Sequence, residues 1–246
     1  SKRDGDRLGF PVFAMNWTDP RTNDFAQGFR ERGFLPEAFV NMLAVLGWND
    51  GSEQEIFTMD ELIEKFSMDR VHKGGAKFDY EKAKWFNHEW IKRLPVSSLQ
   101  LQVKRLFEEQ GIAIDDEEMF AKVLELVKDR CTLLPDFVQQ ASFFFKLPET
   151  IDIASIKPKW DEKKNQFFME LIRGYELTTL WQHDELEKEL KEMAAAHQIK
   201  PGELMAPFRI MLVGGKFGPG VFDIAAIIGR EETIARIKHT LQLLHL

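Results

Sequence analysis

The sequence predicts a mainly α chain, a helix-dominated mixed region followed by an all-helical one, and three observations carry that reading. Apolar residues recur at helical spacing through most of the chain beyond residue 35. No stretch of strand length alternates apolar and polar residues with period two. Helix entries carry proline, threonine or aspartate, and exits carry glycine or proline. The 246 residues are 44% hydrophobic and 12% aromatic, with 21 Phe and 6 Trp, which need an interior and exclude a disordered chain. The length exceeds one ordinary core and predicts two or three packed units.

Taken in order, residues 1 to about 34 mix Gly, Pro, Asn, Asp and aromatics without a sustained period and read as loops and short extended pieces. Pro36 suits a first helical turn, Phe39, Leu43 and Leu46 recur at helical spacing, and Gly47 is a natural stop. Thr58 and Glu61 form a capping box that opens a short helix through Phe66. Asp79 starts a helix carrying Trp85, Phe86, Trp90 and Ile91, which Pro95 ends. Further helices are predicted over about 98–110, 117–130, 133–141, 161–181, 185–197, 202–213, 219–228 and 231–244. Asp115 with Glu118, and Asp184 with Glu187, give two more capping-box signals. Residues 148–160 form the best internal break of the helical half.

Composition excludes several functions. No apolar run approaches the roughly 20 residues of a membrane span. The single cysteine, Cys131, cannot form an internal disulfide, and no His/Cys cluster has metal-ligand spacing, so the chain reads as reduced and cytoplasmic, with no metal site. The chain starts Ser1-Lys2-Arg3-Asp4-Gly5, without initiator Met or signal-peptide pattern, and reads as a piece of a longer protein. Lys2 to Gly5 also match K-x-D-G, the acceptor motif of covalent nucleotidyltransferases, but such enzymes need a strand-rich domain after the lysine and helices follow here. Gly214-Gly215-Lys216-Phe217-Gly218-Pro219-Gly220 lacks the Ser or Thr that a Mg²⁺-linked phosphate loop places after its lysine, and reads as a turn between helices. His183 and Asp184 read as a helix-junction pair and Cys131 as a half-buried structural thiol. No complete catalytic constellation is present.

Net charge is −7, which by itself argues against a protein that blankets nucleic acid. The distribution modifies that. From Arg209 onward Arg209, Lys216, Arg230, Arg236 and Lys238 outnumber Asp223, Glu231 and Glu232, and Lys157, Lys159, Lys163 and Lys164 cluster around Trp160. Both segments are candidates for an electropositive face.

The strings then become specific. Ser1-Lys2-Arg3 resembles the end of the Lys-Met/Leu-Ser-Lys-Ser/Arg loop of class I aminoacyl-tRNA synthetases. Gly33-Phe34-Leu35-Pro36-Glu37-Ala38 through Leu46-Gly47-Trp48, then Glu55 to Thr58, Gly74 to Asp79, Trp85, Asn87 and Ile91 are similar to bacterial-type glutamyl-tRNA synthetases. Pro207-Phe208-Arg209 through Gly214, Gly218 to Phe222, Ile228-Gly229 and Arg236 resemble the terminal helices of the same family. Two departures stand out: a longer stretch between Gly5 and Gly33, and unusual residues over 215–218.

The resemblance implies a stem-contact region over residues 1–95 and a helical anticodon-binding domain over 96–246, with the Rossmann catalytic domain upstream and absent. It implies a parent enzyme, a monomer, that ligates glutamate to tRNA using ATP with Mg²⁺ through a glutamyl adenylate, the fragment alone being inactive. Lys2 takes the place of the family's catalytic, phosphate-contacting lysine, and Ser1 and Arg3 belong to the same ATP-binding loop. Arg130 and Arg209 take the places of arginines that read anticodon bases, because an arginine fork pairs with a base edge and stacks on an unstacked base. Gly218 and Pro219 match the anticodon-side turn. The competing reading is a helical protein-interaction module with no RNA role.

Overall fold

A computed structural model describes residues 13–72, 74 and 77–244. Ser1, Lys2 and Arg3 lie outside the described residues. The chain divides into two compact units, residues 1–111 with 128–139 and residues 112–127 with 140–246.

In the first unit a two-residue hairpin, β1 (Trp17–Thr18) and β2 (Phe25–Ala26), pairs antiparallel with Trp17 opposite Ala26. It leads to Phe29, which is fully buried and gathers Phe34, Phe39 and Phe78 at ring-centroid distances of 4.8, 5.1 and 5.4 Å. Helix α1 (Pro36–Gly47) starts on Pro36, whose fixed φ suits the first turn, and packs against α3 (Tyr80–Arg93). Between them α2 (Met59–Lys65) carries the expected capping box, the Thr58 hydroxyl accepting from Glu61 N–H and the Glu61 carboxylate accepting from Thr58 N–H. Asp79 caps α3 by accepting from Lys82 N–H at 3.1 Å. Helix α4 (Val96–Glu109) buries Leu99, Val103 and Phe107, one residue per turn.

Two buried asparagines organise this unit. Asn41 Oδ1 accepts from Phe57 N–H and Trp90 Nε1–H, while its Nδ2 donates to Glu55 carbonyl. Asn87 Oδ1 accepts from Leu35 N–H at 2.7 Å, and its Nδ2 donates to the carbonyls of Gly33 and Thr132. Gly33 itself has φ +94°, and a Cβ there would lie 2.3 Å from Pro135 Cδ, so only glycine fits both the turn and the approach.

The second unit contains α5 (Glu117–Val127), which buries Phe120, Val123, Leu124 and Val127, and the helices beyond α6 (Asp136–Ala141). These are α7 (Ile153–Ile156), α8 (Glu162–Leu177), α9 (His183–Ala196), α10 (Pro201–Val213), α11 (Val221–Ile228) and α12 (Arg230–Leu244). α8 and α10 pack on α12, and α9 packs on α11. Phe168, Tyr175, Phe208 and Phe222 form an aromatic interior between these elements.

Several boundaries differ from the sequence expectation. The helix expected over 161–181 stops at Leu177, and that expected over 133–141 begins at Asp136, whose carboxylate instead accepts from Thr132 and Leu133 N–H, both at 2.8 Å. The α5 cap is Asp116, accepting from Met119 N–H, one residue past the expected Asp115. α9 starts two residues early behind Gln182, which places Asp184 inside the first turn, where its charge meets the helix dipole rather than a capping bond. The break at 148–160 holds the short helix α7, capped by Asp152. Among the described residues no helix is long and apolar enough to cross a membrane.

Candidate nucleic-acid interface

The turn between α10 and α11 is built from its glycines outward. Gly214 ends α10 in the left-handed region, φ +84°, where a Cβ would meet the Thr150 carbonyl at 2.5 Å. Gly218 adopts φ +92° with the Phe143 ring beneath it, and Gly220 precedes α11. Arg209, in the penultimate turn of α10, aims Nη1 at the carbonyls of Phe217 and Gly218, each at 3.1 Å, and also donates to the Pro219 carbonyl. The turn is therefore wrapped on a guanidinium, which satisfies three acceptors that the glycine-rich backbone leaves outside a helix. Arg209, Gly218 and Pro219 thus form one constellation. Gly218 and Pro219 are buried within it, while Lys216 and Phe217 are exposed.

A second buried arginine supports the turn from below. Arg236, 3% exposed, donates to the carbonyls of Leu212 and Phe143 and pairs through Nε with Glu232 at 2.7 Å. Burial pulls its pKa down, and Glu232 partly restores it. Phe143 is the ring on which both Gly218 and Phe217 rest, the latter at 5.9 Å between centroids. Sequence reasoning placed Arg236 on an electropositive face and missed this role. A charge with Glu232 four residues earlier, on a helix face shared with Thr233, Ile237 and Thr240, is the signal that marks it.

The basic side chains of the expected C-terminal face are largely engaged by carbonyls and carboxylates of the chain. Besides Arg209 and Arg236, Arg230 donates to the Thr178 carbonyl and lies over the Trp181 ring at 5.5 Å, and Lys238 pairs with Glu176 at 3.1 Å. The lysine cluster divides likewise. Lys164 pairs with Asp161 at 2.7 Å and Lys163 donates to the Gln198 carbonyl, leaving Lys157 and Lys159 exposed, while Trp160 stacks on Phe168.

Arg130 stands in the other unit. It ends a 3₁₀ turn, Lys128–Arg130, and is exposed, with no hydrogen bond or ion pair holding its guanidinium among the described residues. The segment beyond it is rigidly tied. His88 Nδ1 lies 2.8 Å from the Cys131 carbonyl, Asn87 holds Thr132, and Asp136 accepts from two successive amides. Cys131 is completely buried rather than half-buried, and burial, with the Asp136 charge adding, raises its thiol pKa far above the ordinary range. It is inert packing. His183, read with Asp184 as a helix-junction pair, stands at the start of α9 and sets Nδ1 2.7 Å from Asp223 on α11. Among the described residues no His, Cys, Asp and Glu side chains are grouped as a metal site would group them.

Comparison with known proteins decides the family. A profile described as the anticodon binding domain matches residues 80–241. The chain belongs to the anticodon binding domain family. A second profile, the catalytic domain of class I tRNA synthetases for E and Q, matches residues 19–85, ahead of and just overlapping the anticodon binding domain. The chain is 41% identical over 244 residues to a glutamate–tRNA ligase of Porphyromonas gingivalis, and 41% identical over 245 residues to one of Flavobacterium johnsoniae. Each alignment takes in 99% of this chain and 48% of the relative, so the chain spans about half the length of the curated relatives it matches. Among solved structures, a glutamate tRNA ligase from Elizabethkingia meningosepticum in complex with its amino acid superposes with TM-score 0.91 at 38% identity, over 99% of this chain and 48% of that one. A glutamate-tRNA synthetase from Elizabethkingia anophelis gives TM-score 0.84 at 38% identity, over 98% and 48%. The mainly helical architecture and the anticodon binding domain are those expected from the sequence.

Proposed function

We propose that this chain is the tRNA-binding part of a glutamate–tRNA ligase, with residues 1–95 contacting the tRNA stem and residues 96–246 its anticodon. The observation that carries the reading is the anticodon binding domain match over residues 80–241 together with about 40% identity to glutamate–tRNA ligases along the whole chain. The intact enzyme is a cytoplasmic monomer that joins glutamate to tRNA with ATP and Mg²⁺ through a glutamyl adenylate. Lys2 contributes positive charge where the leaving phosphates develop negative charge, with Ser1 and Arg3 in the same ATP-binding loop.

Within the anticodon part the two arginines work differently. Arg130 is exposed at the end of a tied segment, which suits direct pairing or stacking with an anticodon base. Arg209 acts through the Gly218–Pro219 turn that it holds, fixing the surface offered to the loop nucleotides.

A gel-shift titration of this chain with glutamate-accepting tRNA at increasing salt tests the reading. Binding is expected to weaken steeply with salt, since phosphate contacts release counterions. Arg130→Ala is expected to weaken binding by about 5- to 150-fold, the range of one lost base contact of about 1–3 kcal/mol, without lowering thermal stability. Absence of any shift would remove the tRNA reading. The chain alone is expected to give no ATP–pyrophosphate exchange.

A further inference from the structure

We propose that Phe217 is a stacking site for one unstacked nucleobase, an inference that rests on the tRNA-binding reading and names a specific contact within it. The ring is 43% exposed although it is held from several directions. Phe143 meets it at 5.9 Å and 67° between ring planes, an edge contact. Its backbone carbonyl is fixed by Arg209, and the next carbonyl by the same nitrogen. Phe143 is in turn anchored through its own carbonyl by buried Arg236. Such a ring has little freedom left to lose, so it presents a preorganised flat apolar surface.

The neighbours fit the same ligand. A Cβ at Gly215 would lie 2.8 Å from Phe217 Cε1 and 3.0 Å from Cδ1, so glycine at 215 lets the ring lie close against the backbone there, a further contact that holds it in place. Lys216, the adjacent residue, is exposed, with no hydrogen bond or ion pair among the described residues, and is available as a point charge for a phosphate. The carboxylate of Asp223, which lies against Gly220, is engaged by His183 at 2.7 Å. An aromatic face beside a lysine, on a turn with its nearby acid paired, is the arrangement by which proteins take single-stranded bases. The other basic side chains of the segment are occupied by carbonyls and carboxylates, which leaves the aromatic surface as the main recognition element of the turn.

The test uses the 246-residue chain and a synthetic anticodon stem-loop of glutamate tRNA, intact or with one loop position made abasic, read by fluorescence anisotropy. Phe217→Leu keeps an apolar group against Phe143 but has no π face, whereas Phe217→Tyr and Phe217→Trp keep one. Phe217→Leu is expected to weaken binding by about 5- to 150-fold, the range of one base–aromatic stack, while Tyr and Trp stay within about threefold of the parent. One abasic position is expected to weaken the parent chain by the same factor and to cost Phe217→Leu nothing further. Equal binding by the parent chain and Phe217→Leu overturns the proposal and leaves the tRNA reading standing. Equal losses in all three variants, with a lowered melting temperature, overturn it in favour of packing alone. Failure of the parent chain to bind the stem-loop or whole tRNA overturns both.

Discussion

Replacing Arg236 by Met keeps an unbranched stem of similar length and removes the guanidinium from the centre of the second unit. Two backbone carbonyls, of Leu212 and Phe143, then lose buried charge-assisted donors, and Glu232 loses its partner. Hydrogen bonds to a charged group contribute about 1.5–3 kcal/mol each, and the guanidinium's own desolvation cost is recovered on its removal. Glu232 is 37% exposed at its side chain and is rehydrated, so it adds little. The expected loss is about 3–5 kcal/mol, which corresponds to about 10–20 °C in melting temperature for a unit of this size. Urea unfolding followed by tryptophan fluorescence, with calorimetry to separate the two units, measures it. Arg236→Lys reaches fewer acceptors and is expected to lose about half as much, and Glu232→Gln less than about 1 kcal/mol. A loss below about 1 kcal/mol for Arg236→Met would refute the assignment of this residue as the anchor beneath the turn.

Two further outcomes follow from the titratable groups. Cys131 is expected to resist a thiol reagent at pH 8 in the folded chain and to react at once in denaturant, because burial and Asp136 keep the thiol protonated; ready labelling of folded protein would contradict its burial. Asp50 is pulled down from 3.8 to about 2 by hydrogen bonds from the hydroxyl and amide of Ser52 and by Lys65. A depressed carboxylate contributes stability that is fully present above its unfolded value near 3.9 and is lost as pH falls through about 2. Carboxyl NMR titration should therefore show a midpoint near 2 that moves up in Ser52→Ala; an unmoved midpoint would reject Ser52 as the main cause.

Local chemistry made much of this architecture readable in advance. Thr58 with Glu61, Asp79 with Lys82, and Pro36 each satisfy or spare an amide within three residues, so their helices begin where the sequence places them. Asp115 was one residue off because Asp116 offers the same carboxylate to the same helix, and spacing does not choose between adjacent acids. Helix α7 is four residues long, too short for a period to register. Asn41 and Asn87 look like any surface asparagine until partners 14 to 54 residues away are brought to them. The candidate site divides in the same way. The Gly218–Pro219 turn was legible from its glycines and the family resemblance, whereas the use of Arg209 and Arg236 as carbonyl anchors depends on which backbone groups tertiary packing leaves unsatisfied.

The first unit is interrupted in sequence, leaving at Gly111 and resuming at Lys128. Asn87 shows what that means during synthesis. Its Nδ2 cannot reach the Thr132 carbonyl, 45 residues further on, nor can the Gly33 carbonyl meet Leu134 N–H, until the chain has been made past Leu134. A chain ending at 111 therefore lacks one of the three hydrogen bonds of the Asn87 amide and the segment that packs along α3, whereas one extended past 139 supplies both. Truncations within 112–139 are therefore expected to leave the first unit without its closing segment and more open to proteolysis than the full chain, which limited proteolysis of such truncations measures.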